Sequence, residues 1–429
     1  MMMNFAGRHL GRIGSQARAI LARPYSGTIV GAAIGLVTLV LLTAAFVFGL
    51  DWSHTWRTIG FPGVALPPFY DLHAITSTAA QCAADGETYP YTGCGYRTSS
   101  YNYPPVRLLL GRLGMTAAET AWLAIAIELP AIVLVTILLS GRSIAMGIVA
   151  LPMVLSPSTI LAFERGNIDI VEWSLVCAAA LIYSERRKAV AIAAALLLSL
   201  AIALKFFALF CTSLIVRFNR TAIVVTISLI AFTALYLYSL VDVLPHIRRI
   251  SPVSPYISYG YTIIFDRFEI LYAPRLGLNV AGLTKSWLPH AAVVLALLLA
   301  AAIAAVAWSR RSETCVLDRG RDGTAFLFGA GIYCGSFLLL GTNYTYRLIF
   351  FLLCLPQFFN WIAADRVSRR LAQALIASCI ISMWLKFHPE KTFHINQVSD
   401  WVLFIAMTAI MALTALRSLW PMRGDGLVK

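Results

Sequence analysis

Asp71 stands in Pro67-Pro68-Phe69-Tyr70-Asp71-Leu72-His73, in a polar interval from Leu50 to about Met115. A carboxylate set among aromatic side chains is a candidate general base. The competing reading is a loop aspartate that caps the next helix, since Asp is a preferred capping type. His73 reads equally as a loop histidine or as a second polar group of a site. Asp51 is a rival carboxylate, although its place right after an apolar run suits an interfacial charge. The same interval ends in Tyr101-Asn102-Tyr103-Pro104-Pro105. Two prolines fix φ and forbid a helix start before them. A belt of interfacial tyrosines needs no such corner, so this segment reads as a shaped wall. Cys82 and Cys94, between the two motifs, are candidates for a disulfide, which spacing alone does not prove.

Other polar groups interrupt apolar sequence further on. Glu164-Arg165-Gly166-Asn167-Ile168-Asp169 is a dense polar turn, and its glycine permits close backbone approach. Lys205 lies inside a long apolar stretch, where it either snorkels to an interface or binds a phosphate. Gly341-Thr342-Asn343-Tyr344-Thr345-Tyr346-Arg347 ends in an arginine whose planar fork suits two phosphate oxygens. Arg248, Arg249, His388, Lys391 and His394 are further basic groups, each an ordinary loop charge by itself. There is no CxxC or HExxH pattern, so no metal site is indicated and no cofactor is required.

The elements that must position these groups are membrane helices. Of 429 residues, 59% are hydrophobic and 13% charged, and the mean hydropathy is +0.77. A soluble domain is about 45–50% apolar and ~25% charged. Long unbroken apolar runs exclude the alternation of a membrane barrel, and a helix bundle is the other structure that satisfies the backbone in lipid. Hydropathy predicts about twelve segments: 28–50, 117–139, 144–163, 168–183, 189–204, 206–216, 221–243, 291–308, 324–341, 348–364, 371–386 and 400–417. The sixth is too short to cross alone, so it and its predecessor are expected to be broken or re-entrant at Lys205. Residues 1–27 form a basic tail without an acid, and 28–429 form one transmembrane domain. Six of the eight cysteines fall in spans or beside them and read as small buried hydrophobes.

The net charge of +14 does not mark a nucleic-acid binder. With the N-terminus inside, the inside segments hold 20 of the 34 Lys and Arg but only 6 of the 20 Asp and Glu. The excess sits on one face, as the positive-inside rule requires, and the basic groups there touch anionic lipid. Both termini are then cytoplasmic, and the polar motifs all face outward, on loops 51–116, 244–290 and 387–399 or on short turns. An outward enzyme has no ATP or nucleotide sugar. A sugar activated on a lipid phosphate is available there. A base would deprotonate an acceptor hydroxyl while cations hold the departing lipid phosphate.

The ordered motifs resemble a known family. Asp71-Leu72-His73, Asp85-Gly86-Glu87-Thr88-Tyr89-Pro90-Tyr91 and Asn102-Tyr103-Pro104-Pro105 are similar to the first outer loop of bacterial polyprenol-phosphate-mannose-dependent mannosyltransferases of the GT-C class. Arg165-Gly166-Asn167-Ile168-Asp169, Ala203-Leu204-Lys205 and Asn343-Tyr344-Thr345-Tyr346-Arg347 resemble that family's later outer turns. The resemblance implies a GT-C-like bundle of about 11–13 helices with a structured periplasmic first loop. It further implies inverting transfer from a polyprenyl-phosphate sugar to a lipid- or glycan-linked acceptor at the cytoplasmic membrane. It makes Asp71 the catalytic residue and gives Lys205 and Arg347 the donor phosphate. Many relatives carry Gly-Gln where this chain has Arg165-Gly166, which leaves Arg165 without a carried-over role. The alternatives from other classes are a lipid-linked sugar flippase, which should place charges at mid-span, and a polysaccharide polymerase, which relies on a large late outer loop.

Overall fold

The computed structural model describes residues 24–46, 69–86, 94, 104–242, 245, 258–278, 280, 282–310, 315–339, 343–385 and 389–420. Asp51, Tyr101, Asn102, Tyr103, Arg248, Arg249, His388 and most of the basic tail lie outside these residues.

The chain is an all-α, multi-pass membrane protein. Its main helices are α1 (Ser26–Phe46), α2 (Tyr70–Ala84), α3 (Thr120–Leu138), α4 (Ile144–Val154), α5 (Pro157–Glu164), α6 (Asp169–Ile182), α7 (Lys188–Leu204), α8 (Arg220–Ser239), α9 (Leu288–Ser309), α10 (Arg321–Leu339), α11 (Leu355–Ala363), α12 (Arg366–Trp384) and α13 (Pro389–Leu419). Among the described residues, six helices are long and apolar enough to cross a membrane, or seven if the bent α4–α5 pair is one span. Hydropathy predicted about twelve segments. Part of the difference is length: α6, α7 and the 3₁₀ segment after Lys205 have 14, 17 and 12 residues, against ~20 for a full span. Most of α6 is covered by protein, whereas α7 buries one face, through Ala194, Leu198 and Ala201, and exposes Ile192, Leu196 and Leu200 on the other.

Two long 3₁₀ segments are the unusual part of the architecture. One is Phe206–Arg217; the other, Thr345–Cys354, leads directly into α11. Such runs are uncommon because the hydrogen-bond geometry is poorer. They stretch the chain, however. At ~2.0 Å per residue, twelve residues cover about 24 Å instead of the ~18 Å of an α-helix. The expected break at Lys205 is present. Its backbone is extended (φ −163°, ψ 134°), which ends α7 and starts the returning 3₁₀ segment. That segment packs on α10, where glycines make room: a Cβ at Gly335 would lie 2.0 Å from the Phe210 ring.

The two most buried spans, Arg321–Leu339 and Thr345–Ala363, have 83% and 78% of their windows inside the protein, against 17–33% for the other four. The centre of the bundle is therefore α10, the second 3₁₀ segment and α11. The aromatic groups of Phe326, Phe351 and Phe358 fill it. The lipid-facing helices α8 and α9 instead expose Ile230, Leu235, Leu295 and Leu298.

Segments assigned to one face in the sequence do meet at one end of the bundle. Arg142, from the α3–α4 turn, pairs with Asp322 of α10 and donates to Asn360 of α11 (2.5 Å). Arg217 pairs with Glu185 (2.9 Å) and donates to the carbonyls of Asp318 and Arg319. At the opposite end lie α2, the α5–α6 turn, Lys205 and a two-stranded antiparallel pair. In that pair Ser258 faces Tyr344 and Tyr259 faces Asn343. Cys82 and Cys94 form a disulfide at the far end of α2 from Asp71, and the other six cysteines are free and buried.

Candidate functional site

The site is built where α2 docks on the α5–α6 turn. The amide of Phe69 donates to the Glu164 carbonyl (3.1 Å) and that of Asp71 to the Arg165 carbonyl (3.2 Å). Phe69 itself is left-handed (φ 57°), a strained conformation for a bulky residue, and its ring is buried with Leu72 and Ala124. Gly166 fits this contact in two ways. Its φ is +56°, and a Cβ there would lie 3.1 Å from Leu72 Cβ and 3.2 Å from Phe69 Cβ. Gly166→Ala is expected to destabilise the fold by about 1–3 kcal/mol and to loosen α2. Thermal unfolding in detergent measures this, and an unchanged melting temperature would contradict it.

Asp71 is not a helix cap. Phe69 holds the N-cap position, and the Asp71 carboxylate turns instead toward the α5–α6 turn. Oδ2 accepts from Asn167 Nδ2 (2.5 Å) and Oδ1 accepts from Arg165 Nη1 (3.3 Å). Asn167 then uses its own Oδ1 to accept from the backbone N–H of Asp169 (2.9 Å), which fixes its amide orientation. A carboxylate has about four lone-pair directions, so two bonds orient Asp71 and leave room for a hydroxyl.

Asp169, fully buried, gathers the two cations. Oδ1 pairs with Lys205 Nζ and Oδ2 lies 3.3 Å from Arg347 Nε. Arg347 Nη1 donates to Asn343 Oδ1 (2.6 Å), and Asn343 Nδ2 donates to the Ser336 carbonyl (2.5 Å). The Arg347 guanidinium lies over Phe207 at 4.0 Å from the ring centre, within cation–π range. Lys205 therefore does not snorkel: it is 7% exposed and ion-paired. Tyr344 stacks on Tyr346 (5.4 Å). Burial pushes its phenol above its ordinary value, Asp71 adds to that effect, and Arg165 and Arg347 oppose it.

Six predicted residues thus converge: Asp71, Arg165, Asn167, Asp169, Lys205 and Arg347, with Asn343 and Tyr344 beside them. His73 does not join them. Two positions along a helix point to opposite sides, and among the described residues its imidazole is not bonded to the cluster. His394 is exposed near the start of α13.

Several participants were missed in the sequence. Glu172 is fully buried one turn after Asp169, and its Oε1 accepts the Ala208 N–H (2.7 Å). That N–H lies in the first turn of the returning 3₁₀ segment, so Glu172 ties α6 to the break that presents Lys205. Its i+3 spacing from Asp169 was a usable signal. Arg107, 3% exposed, donates to the Leu204 carbonyl (2.6 Å) and ties the Pro104-Pro105 corner to the same break. Tyr259 reaches the site through strand pairing, for which the sequence carries no local signal.

No family model, curated protein or solved structure matches this chain. The class that fold and site define is a multi-pass membrane protein with a buried carboxylate–cation cluster at one end of its bundle.

Proposed function

We propose that the protein is an inverting glycosyltransferase that moves a sugar, in the first place mannose, from a polyprenyl-phosphate donor to a lipid- or glycan-linked acceptor. The reaction is placed at the outer face of the bacterial cytoplasmic membrane, with both termini cytoplasmic. One observation carries the reading. Asp71, a carboxylate of α2 oriented by Arg165 and Asn167 of the α5–α6 turn, stands next to a second carboxylate at the end of that turn, Asp169, which gathers two cations from distant segments.

The roles divide accordingly. Asp71 takes the proton of the acceptor hydroxyl. The acceptor oxygen bonds to the anomeric carbon from the face opposite the phosphate, the carbon–oxygen bond to the phosphate breaks, and configuration inverts. Negative charge grows on the leaving phosphate, where Lys205 and Arg347 stabilise it. Fixed cations cost no reorganisation at that moment. Between turnovers Asp169 compensates their charge, since unpaired buried charges are costly. The acceptor is bound by the groups nearest Asp71, Tyr344 among them.

The test is transfer by purified protein in lipid nanodiscs, with polyprenyl phosphates carrying mannose, glucose or arabinose and a membrane lipid extract as acceptor. A sugar-bearing product is expected, and its mass identifies the acceptor. No transfer from any of these donors would remove the proposal. One feature favours a flippase: Glu128, 2% exposed in the middle of α3, with Oε1 lacking a hydrogen bond. Acids at that depth often serve transport. Translocation of the lipid-linked sugar without transfer, lost in Glu128→Gln, would establish that reading instead.

A further inference from the structure

Near the start of α13 two amides are buried without partners. Asn396 is 0% and Gln397 1% exposed, and none of their four amide oxygen and nitrogen atoms makes a hydrogen bond among the described residues. A buried polar group left unsatisfied costs about 1–3 kcal/mol. Native structures rarely carry such groups without a water or a ligand to meet them. Neighbouring polar groups of α13 are engaged: Ser399 Oγ donates to the Ser378 carbonyl (2.8 Å), and Ser382 donates to the buried Asp400 carboxylate.

A chain of contacts joins Asp400, one turn further along α13, to the cation cluster. Tyr333 of α10 donates its hydroxyl to the Asp400 carbonyl (2.8 Å) and stacks on Tyr259 at 5.5 Å. Tyr259 is hydrogen-bonded to Ser336 Oγ (2.8 Å), and the Ser336 carbonyl holds Asn343, the partner of Arg347. Asn396 and Gln397 lie about one turn from Asp400, toward the end of the bundle that holds the site. Trp401, one turn from Gln397 and half-buried, offers an aromatic surface edge-on to Phe337.

We infer that Asn396 and Gln397 form a subsite for the hydroxyl groups of a sugar ring, an inference that rests on the glycosyltransferase reading. An amide presents a donor and an acceptor side by side, which matches a pair of neighbouring hydroxyls. A phosphate would select cations, and an acyl chain would leave all four groups unmet. The cation cluster then holds the phosphate, and the amides hold the ring and set which sugar is accepted.

The experiment compares affinities of the full chain in nanodiscs for bare polyprenyl phosphate and for polyprenyl phosphate carrying mannose, glucose or arabinose. The wild-type protein is expected to prefer one sugar-bearing form over the bare phosphate by about tenfold or more, the equivalent of one to two hydrogen bonds. Asn396→Leu and Gln397→Met are expected to lose most of that preference and to bind the bare phosphate within about twofold of wild type. Their melting temperatures should be equal or higher, because unsatisfied groups have been removed. If either fails to fold, the Ala variant supplies the same comparison. Variants that keep the full sugar preference would show that the amides meet only water, and a wild type with no preference would overturn the subsite equally. Bare-phosphate binding reports on the cation cluster alone, so the two readings fail separately.

Discussion

Asp71→Asn is expected to abolish sugar transfer, with turnover reduced by about 10²–10⁴-fold or more, the range a positioned general base contributes. The substitution is nearly isosteric. The amide oxygen still accepts from Asn167 or Arg165, so the docking of α2 on the α5–α6 turn survives through its backbone bonds. What disappears is the group proposed to take the acceptor proton. Donor binding, which the proposal assigns to Lys205 and Arg347, should stay near the wild-type value. Turnover by purified variant, measured beside its melting temperature and its donor affinity, checks all three. Transfer at the wild-type rate would end the assignment of Asp71. Lost donor binding would instead mean that the loop had been displaced.

Arg347→Ala is expected to reduce use of the donor by about 10²–10³-fold, the loss seen when one preorganised charge-stabilising group is removed. The acceptor KM should move little. The guanidinium bridges Asp169, Asn343 and the Phe207 face, so its removal also frees a buried oxygen of Asp169. Breaking a buried pair outright costs about 3–5 kcal/mol. Here Lys205 remains on the other oxygen, and the loss of stability should be smaller. Arg347→Lys should recover part of the activity, because a point charge replaces the planar fork. Initial rates with donor and acceptor varied separately decide the matter, and an unchanged donor dependence would contradict the role.

The two variants probe different parts of one arrangement. Asp71 comes from α2 and Arg347 from the start of a buried span, and the α5–α6 turn connects them. Asn167 holds Asp71 with its Nδ2 and the Asp169 amide with its Oδ1. The turn therefore spaces Asp71 relative to the cations, and Gly166 lets α2 approach it.

Much of this was legible in the sequence. Apolar runs determined a helical membrane protein, because lipid offers the backbone no other partners. Charge asymmetry grouped the polar turns on one face, and the motifs within them named Asp71, Asn167, Asp169, Lys205 and Arg347. The break at Lys205 followed from length alone. Which helices cross unaided did not follow, because hydropathy does not say how long a helix each apolar segment forms. Pairing was also beyond reach. Nothing local says that Asp169 gathers both cations, that Glu172 secures the Ala208 amide, or that Tyr259 joins Asn343 across a two-residue strand pair. Those facts depend on contacts between segments 36 to more than 150 positions apart. Periodicity and composition report on near neighbours, whereas the tertiary fold alone decides which distant polar groups share a low-dielectric interior and must satisfy one another there.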